Sequence, residues 1–295
     1  MLKKVLSVIG AYKMYEKWLW QQVKSGVKPE HIAIILDGNR RWASENELNP
    51  WLGHKQGAET VEHLLDWCLK LNVKFITLYA FSTENFRRSP QEIEEIMKIS
   101  EEKFRKLLTD ERIHKNKINV KVIGRINLLP ESLQQLIGEM ESATANYDNQ
   151  FLNFAFAYGG RAEIVDAAKI IAEQVKDGKL ELDDINESMF EKYLYTSHMT
   201  KQEPDLIIRT SGEERLSGFL LWQSAYSELV FLDVFWPDFR FIDLLRAIRT
   251  YQLRMRRYGS YVGQARFFAL TIEITSLSFS MASSPILLLS RASMA

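Results

Sequence analysis

The sequence predicts an α/β protein: a single domain with a mostly parallel central sheet of about six strands, flanked by helices. Three observations lead there. Six short β-type runs recur along the chain, at residues 31–36, 74–81, 118–123, 151–157, 205–210 and 229–234. Three of these contain nearly continuous apolar stretches (32–36, 152–157 and 206–208), the pattern of strands covered on both faces. The segments between them have helical periodicity, and strands separated by helices imply right-handed crossovers within one sheet.

Taken in order, residues 1–10 resemble a signal peptide, but the apolar run is short and Lys13, Glu16 and Lys17 follow at once, so secretion is rejected. Residues 12–23 read as an amphipathic helix with Tyr15, Trp18 and Leu19 on one side, a face that either packs on the body or touches a bilayer surface; packing is preferred. Residues 56–71 form a helix with Val61, Leu64, Leu65 and Cys68 on one side. Ser89 caps the next helix, Pro90 fills its first turn and Glu92 completes a capping box. Pro130 and Glu131 open a third helix, and residues 162–175 make a fourth. No repeat or Gly/Ser/Pro-rich linker divides the chain. The reading is a helical lead (1–27), one catalytic domain (28–260) and an apolar tail (261–295). Within the tail, residues 267–289 carry Glu273 as their only charge, and a poorly ordered or peripherally attached tail is preferred to a membrane span.

Lys and Arg number 38, as do Asp and Glu, and this neutral balance argues against nucleic acid as a partner. The lone Cys68 permits no internal disulfide, which fits a reducing cytoplasm; its apolar neighbours make it a buried small side chain.

Two strand ends carry chemistry. The first strand runs into Asp37-Gly38-Asn39-Arg40-Arg41-Trp42. Ligands of open α/β sheets sit at the carboxyl ends of strands. Gly38 permits a tight turn, a helix starting near Asn39 presents free N–H groups to a phosphate, and Arg40 and Arg41 add forked donors. A carboxylate amid this positive charge makes sense if a divalent cation bridges it to a bound anion, and Mg²⁺ is the natural choice. The competing reading is a plain Asp-Gly turn with surface arginines. The second strand end, Arg209 followed by Arg215 and Ser217, repeats the logic; here the competing reading is an ion pair to Glu213 or Glu214. Two separate anion cradles suggest two phosphorylated substrates. No Walker loop or G-x-G-x-x-G is present, so a nucleotide is not favoured. Between them, Ser82, Glu84, Asn85 and Arg88 supply polar groups and Phe81 and Phe86 apolar walls, a mixture suited to hydrocarbon chains with charged heads. His54 is read as beginning a helix, where a neutral imidazole is favoured.

Together these motifs resemble the cis-prenyltransferase family of undecaprenyl and dehydrodolichyl diphosphate synthases. The resemblance spans about residues 31–260 and adds Gly53-His54-Lys55-Gln56-Gly57, Tyr158-Gly159-Gly160-Arg161, Phe219 to Gln223, Glu228, Trp236-Pro237-Asp238-Phe239 and Arg257-Tyr258-Gly259. It implies a Mg²⁺-dependent homodimer or related dimer with an apolar tunnel, in which isopentenyl diphosphate adds to an allylic diphosphate with a new cis double bond and release of diphosphate. By position, Asp37 and Glu228 take the metal and Asp37 and Asn85 are catalytic. The substrates fall to Gly38, Asn39, Arg40, Arg41, Trp42, His54, Ser82, Thr83, Glu84, Phe86, Arg88, Arg209, Arg215, Leu216 and Ser217. Arg257 to Gly259 reach the neighbouring subunit. The chain departs from the pattern at Arg40 (often Gly), Pro50 (often Arg) and Ala157 (Asn in the family). Phe154 and Phe156, if they face the tunnel, shorten the product. The alternatives are prenyl transfer to another acceptor and a non-catalytic subunit. Asp37→Ala is expected to cost several orders of magnitude in rate while leaving the fold intact.

Overall fold

The computed structural model describes residues 10–254; the readings for residues 1–9, 257–259 and 267–289 lie outside them. In chain order the elements are α1 (Ala11–Ser25), β1 (His31–Ile35), α2 (Asn39–Glu45), α3 (Pro50–Leu71), β2 (Phe75–Ser82), α4 (Pro90–Leu108), α5 (Glu111–Lys115), β3 (Ile118–Ile123), α6 (Glu131–Thr144), β4 (Gln150–Tyr158), α7 (Gly160–Lys176), α8 (Glu187–Phe190), β5 (Leu206–Arg209), β6 (Glu228–Phe231) and α9 (Phe241–Leu253). The strands form one sheet in the order β3-β4-β2-β1-β5-β6, and every pairing is parallel. All six expected strands are present. Among the described residues no helix is long and apolar enough to cross a membrane.

Both faces of the sheet are buried, as the continuous apolar runs require. Ile32, Ile34, Ile76, Leu78, Leu152, Phe154 and Phe156 face a large cluster completed by α3 and α4. Their alternates Ala33, Ile35, Tyr79, Ala155 and Ile207 face a smaller cluster with Phe219 and Leu220. Each aliphatic side chain fully removed from water contributes about 1.5–3 kcal/mol, so two packed faces fix the register firmly. Cys68 lies in the large cluster with its thiol pKa pushed up to about 12 by burial, as the apolar reading expects.

Two helix starts differ from expectation. The helix expected from Gln56 begins six residues earlier, because Pro50, which lacks an N–H, is well placed as its first residue after an extended Asn49. The capping box at Ser89 is half made. The Ser89 hydroxyl accepts from the Glu92 N–H at 3.3 Å, but the Glu92 carboxylate turns away to His54 and Arg88.

At the amino end of β1 the His31 ring is fully buried, with Nε2 2.9 Å from the Thr77 hydroxyl. Burial holds its pKa down to about 4, from an ordinary 6.5. The unfolded chain therefore binds this proton more readily than the folded one, and stability declines as pH falls from 6.5 towards 4. The expected loss is about 3 kcal/mol. Denaturant titrations across that window should show it, and the His31→Gln variant should show a shallower dependence.

Candidate active site

The chain runs outward from β1 to β2 and β3, returns to β4, and then crosses to the other side of β1 as β5. The direction of winding thus reverses between β1 and β5, and the crevice beyond their carboxyl ends is where an open sheet binds ligands. Ile35 pairs with Arg209 across this switch point, and Asp37 lies two residues beyond Ile35. The Arg209 Nη2 donates to Asp37 Oδ2 at 2.8 Å and its Nη1 to Ser217 Oγ at 2.9 Å and to the Arg215 carbonyl. The Arg209 Nε is buried and has no protein partner among the described residues, a donor left over for an anion. The two cradles expected as separate are therefore joined by an ion pair.

Asp37 is fixed from several sides. Its N–H donates to the Thr210 hydroxyl at 3.1 Å, and that hydroxyl donates to its carbonyl at 2.7 Å. Its Oδ1 accepts from the Gly38 N–H at 2.7 Å and lies 3.3 Å from the Arg41 guanidinium. Burial alone would raise its pKa, but the hydrogen bond and charge of Arg209, with Arg41, outweigh it and hold the carboxyl below its ordinary value. The group is ionised and only partly enclosed. Among the described residues no cluster of three or more His, Cys, Asp or Glu is placed to hold a metal. A single carboxylate ringed by cations does not suit a metal that needs an all-protein cage. It suits Mg²⁺, which takes its other ligands from water and phosphate.

Facing this pair across the crevice, β2 ends in the tight turn Thr83–Arg87. The Asn85 carboxamide oxygen accepts from the Ser82 N–H at 3.0 Å, closing a capping box; among the described residues the Asn85 NH₂ makes no hydrogen bond. Beside it, Arg88 Nη1 donates to Glu92 at 3.0 Å and approaches His54 Nε2, while Arg40 stands 3.7 Å from the same carboxylate. Burial first, and then the charge of Arg88, hold the His54 pKa down to about 4. The ring is neutral at physiological pH, and its Nε2 lies 3.3 Å from both Arg88 Nη1 and the Glu92 carboxylate, accepting from the first or donating to the second according to tautomer. His54 is thus neutral as expected but for another reason: it lies a full turn inside α3, so the helix terminus is not the cause.

Behind these groups an apolar cavity of about 120 Å³ lies between the sheet and helices α3 and α4. Leu36, Asn39 and His54 line one end, Val61, Leu65, Ile96, Phe104, Phe154 and Phe156 its walls, and Glu62, Lys103, Lys106 and Arg112 its far end. A cavity of this size holds one small hydrocarbon, comparable to the roughly 150 Å³ that accommodates benzene.

The sequence model of the family described as "Putative undecaprenyl diphosphate synthase" matches residues 35–259. Tritrans,polycis-undecaprenyl-diphosphate synthases (geranylgeranyl-diphosphate specific) from Pyrococcus horikoshii and Methanopyrus kandleri are each 53% identical to this chain, over 249 and 254 residues. The matches cover 84% and 86% of this chain and 94% and 93% of theirs. The crystal structure of lavandulyl diphosphate synthase from Lavandula x intermedia in complex with dimethylallyl diphosphate superimposes with a TM-score of 0.75 at 37% identity, covering 81% of this chain and 100% of that one. The chain belongs to the cis-prenyltransferases. It is a transferase of the family that condenses isopentenyl diphosphate with an allylic prenyl diphosphate.

Not every residue assigned by family position lies in the crevice. Asp37, Asn39, His54, Ser82, Thr83, Glu84, Asn85, Arg88, Arg209 and Ser217 share it, and Gly38, Arg40 and Arg41 line an adjoining hollow with Pro50. Trp42 instead donates its indole N–H to Asp238 at 3.0 Å, bracing the turn after β6. Phe86 packs edge-on against Phe81 and lines a groove between α4 and α6. Leu216 packs against the smaller apolar cluster. Arg215 is well exposed and pairs with Glu213, the competing reading offered for it. Glu228 opens β6, at the amino end of the sheet, and pairs with Arg254 at 3.0 Å. The parallel register separates it from the carboxyl edge by roughly 10 Å, so Asp37 and Glu228 of one chain do not form a shared metal site.

Sequence reasoning missed Gly159, Gly160 and Arg161 as site residues, although they line the crevice at the start of α7. The signal was present, since this is a third strand end followed by glycine and arginine. It also missed Glu92, whose capping role hid its ion pairs. Ala157, where the family has Asn, sits at φ 49, a left-handed conformation that asparagine tolerates better than alanine.

The structure also revises the expectation for Asp37→Ala. Arg209 is only 5% exposed, and removing its anionic partner leaves a buried charge unpaired, so the variant should lose stability as well as rate. Gly38 has φ 104, and a Cβ there would lie 2.7 Å from the Phe235 ring. Gly38→Ala is expected to cost about 2–4 kcal/mol in denaturant unfolding through backbone strain and overpacking; a change below half a kilocalorie would refute the close-packed turn.

Proposed function

We propose that this enzyme extends an allylic starter of geranylgeranyl length by successive additions of isopentenyl diphosphate, forming cis double bonds and releasing diphosphate. The observation that carries the reading is the placement of the joined Asp37–Arg209–Ser217 cluster at the mouth of the apolar cavity, with phosphate grips and hydrocarbon slot adjoining. The starter length follows the printed names of the relatives. Nothing favours transfer to another acceptor or a non-catalytic subunit, because the metal carboxylate and the buried arginine are retained and engaged.

In this reading Gly38, Arg40, Arg41 and Arg88 receive the allylic diphosphate, Arg209 and Ser217 hold isopentenyl diphosphate, and Arg215 joins them by exchanging Glu213 for the phosphate. Mg²⁺ held by Asp37 would neutralise charge on the phosphates and favour loss of the leaving group. The guanidinium groups meet the negative charge that grows as the carbon–oxygen bond breaks. Phe81 and the cavity walls keep water from the allylic cation. Asn85, with its oxygen committed to Ser82, orients substrate as a donor, and the released diphosphate supplies the base for the departing proton. The growing chain enters the cavity, and because that space holds about one small hydrocarbon, α3 and α4 part as elongation proceeds. In the same reading the enzyme works as a homodimer.

Incubation of the purified protein with Mg²⁺, isopentenyl diphosphate and geranylgeranyl diphosphate should yield polyprenyl diphosphates by mass spectrometry; no elongation of any allylic starter would overturn the reading. Asp37→Asn, which keeps the shape of the side chain, should lower kcat by roughly a thousandfold or more. Phe154→Ala and Phe156→Ala widen the cavity wall, and their products should be longer than wild type by at least one isoprene unit. Unchanged product lengths would show that neither ring limits the chain.

A further inference from the structure

Helix α1 has two faces. Leu19 and Val23 are buried, Trp20 packs 5.8 Å from Phe241, and Lys70 sits over the Trp20 ring at 4.6 Å. The expectation that Tyr15, Trp18 and Leu19 share one side holds only in part, since Leu19 faces the body and the two aromatics do not. On the outer face Met14 is 72% and Trp18 51% exposed, with Tyr15 stacked on Trp18 at 5.7 Å. These residues stand at i, i+1 and i+4, so they form one contiguous apolar patch. Neither aromatic ring tip needs to be dry, since indole N–H and phenol O–H prefer a wet, partly apolar boundary.

The charges around the patch have one dominant sign. Lys13 and Lys17 are exposed on either side of it, Lys24 follows in the last turn, and Glu16 is the only acid of the helix. Arg246 of α9 adds its guanidinium over the Tyr15 ring at 5.2 Å. Aromatic and Met side chains ringed by lysines are the composition of a helix lying in a membrane interface, and a basic rim complements anionic headgroups. The position also suits this occupant. Tyr12, in the first turn of α1, lies under Arg240, which follows the Trp236–Asp238 turn; that turn hydrogen-bonds the Asp37 carbonyl at 3.0 Å. The patch is thus at the end of the molecule where diphosphates would bind and a lipid product would leave.

We propose that the outer face of α1, formed by Met14, Tyr15 and Trp18 with Lys13, Lys17 and Arg246, docks the enzyme on an anionic lipid bilayer. The need for docking rests on the proposed polyprenyl product, while the docking surface is a property of the helix itself. The test is co-sedimentation of the full chain with vesicles of phosphatidylcholine alone or mixed with phosphatidylglycerol, in low and high salt, without substrate. Wild type should pellet with the anionic vesicles and be released by salt. Met14→Ser with Trp18→Ser should weaken binding at least tenfold. Lys13→Glu and Lys17→Glu should each weaken it about fivefold and erase the preference for anionic lipid. All these positions are exposed, so melting temperature and turnover of a soluble starter should stay at wild-type values. Wild type remaining in the supernatant would overturn the proposal. So would variants that bind like wild type, which would assign binding to the apolar stretch at residues 267–289. A loss of self-association in the variants, with vesicle binding unchanged, would also overturn it by making the face a contact between proteins. Normal binding by a protein that extends no starter would sink the proposed reaction and leave the surface standing.

Discussion

An ion pair between Asp37 and Arg209, spanning the gap between the carboxyl ends of β1 and β5, is the constraint around which the site is organised. Each partner would be costly alone in its surroundings, and together they hold two strand ends and the loops behind them in one arrangement. Thr210 fixes the aspartate backbone, Ser217 and the Arg215 carbonyl fix the arginine, and Gly38 lets the chain turn sharply enough for both to meet. Among the described residues the pair also leaves one buried guanidinium N–H without a protein partner, unused capacity for an incoming anion.

A second cluster answers the first across the crevice. Glu92 gathers Arg40, His54 and Arg88 around one carboxylate and keeps three side chains from two different helices and a loop in place. His54 stays neutral there because it is buried beside a cation, so the cluster presents donors without adding a titration near neutral pH. The crevice is therefore cationic around one ionised aspartate, and it opens directly onto an apolar cavity. A substrate with a diphosphate head and an isoprenoid tail fits those two environments, and the family to which the chain belongs uses such substrates.

Much of this was legible in the residues. The continuous apolar runs at β1, β4 and β5 announced strands buried on both faces, and both faces are indeed packed. Charged residues following two of those strands marked the site, because an arginine or aspartate at a buried strand end needs a partner. What misled was local logic applied to residues with distant partners. Glu92 three residues after Ser89 looks like a capping box, yet its carboxylate is claimed by His54, 38 positions away. Trp42 and Phe86 adjoin the motifs in sequence but point into packing with Asp238 and Phe81.

The sequence by itself determined the fold class, the six strands and the chemistry gathered at their ends, because those depend on hydrophobic period, turn residues and charge, all of which are local. Only the tertiary structure decided that the two cradles share one ion pair, that Glu228 lies at the far edge of the sheet, and that α1 turns Trp18 outward. Those follow from strand order and from which helix face the core claims, and both are settled by contacts between residues far apart in the chain.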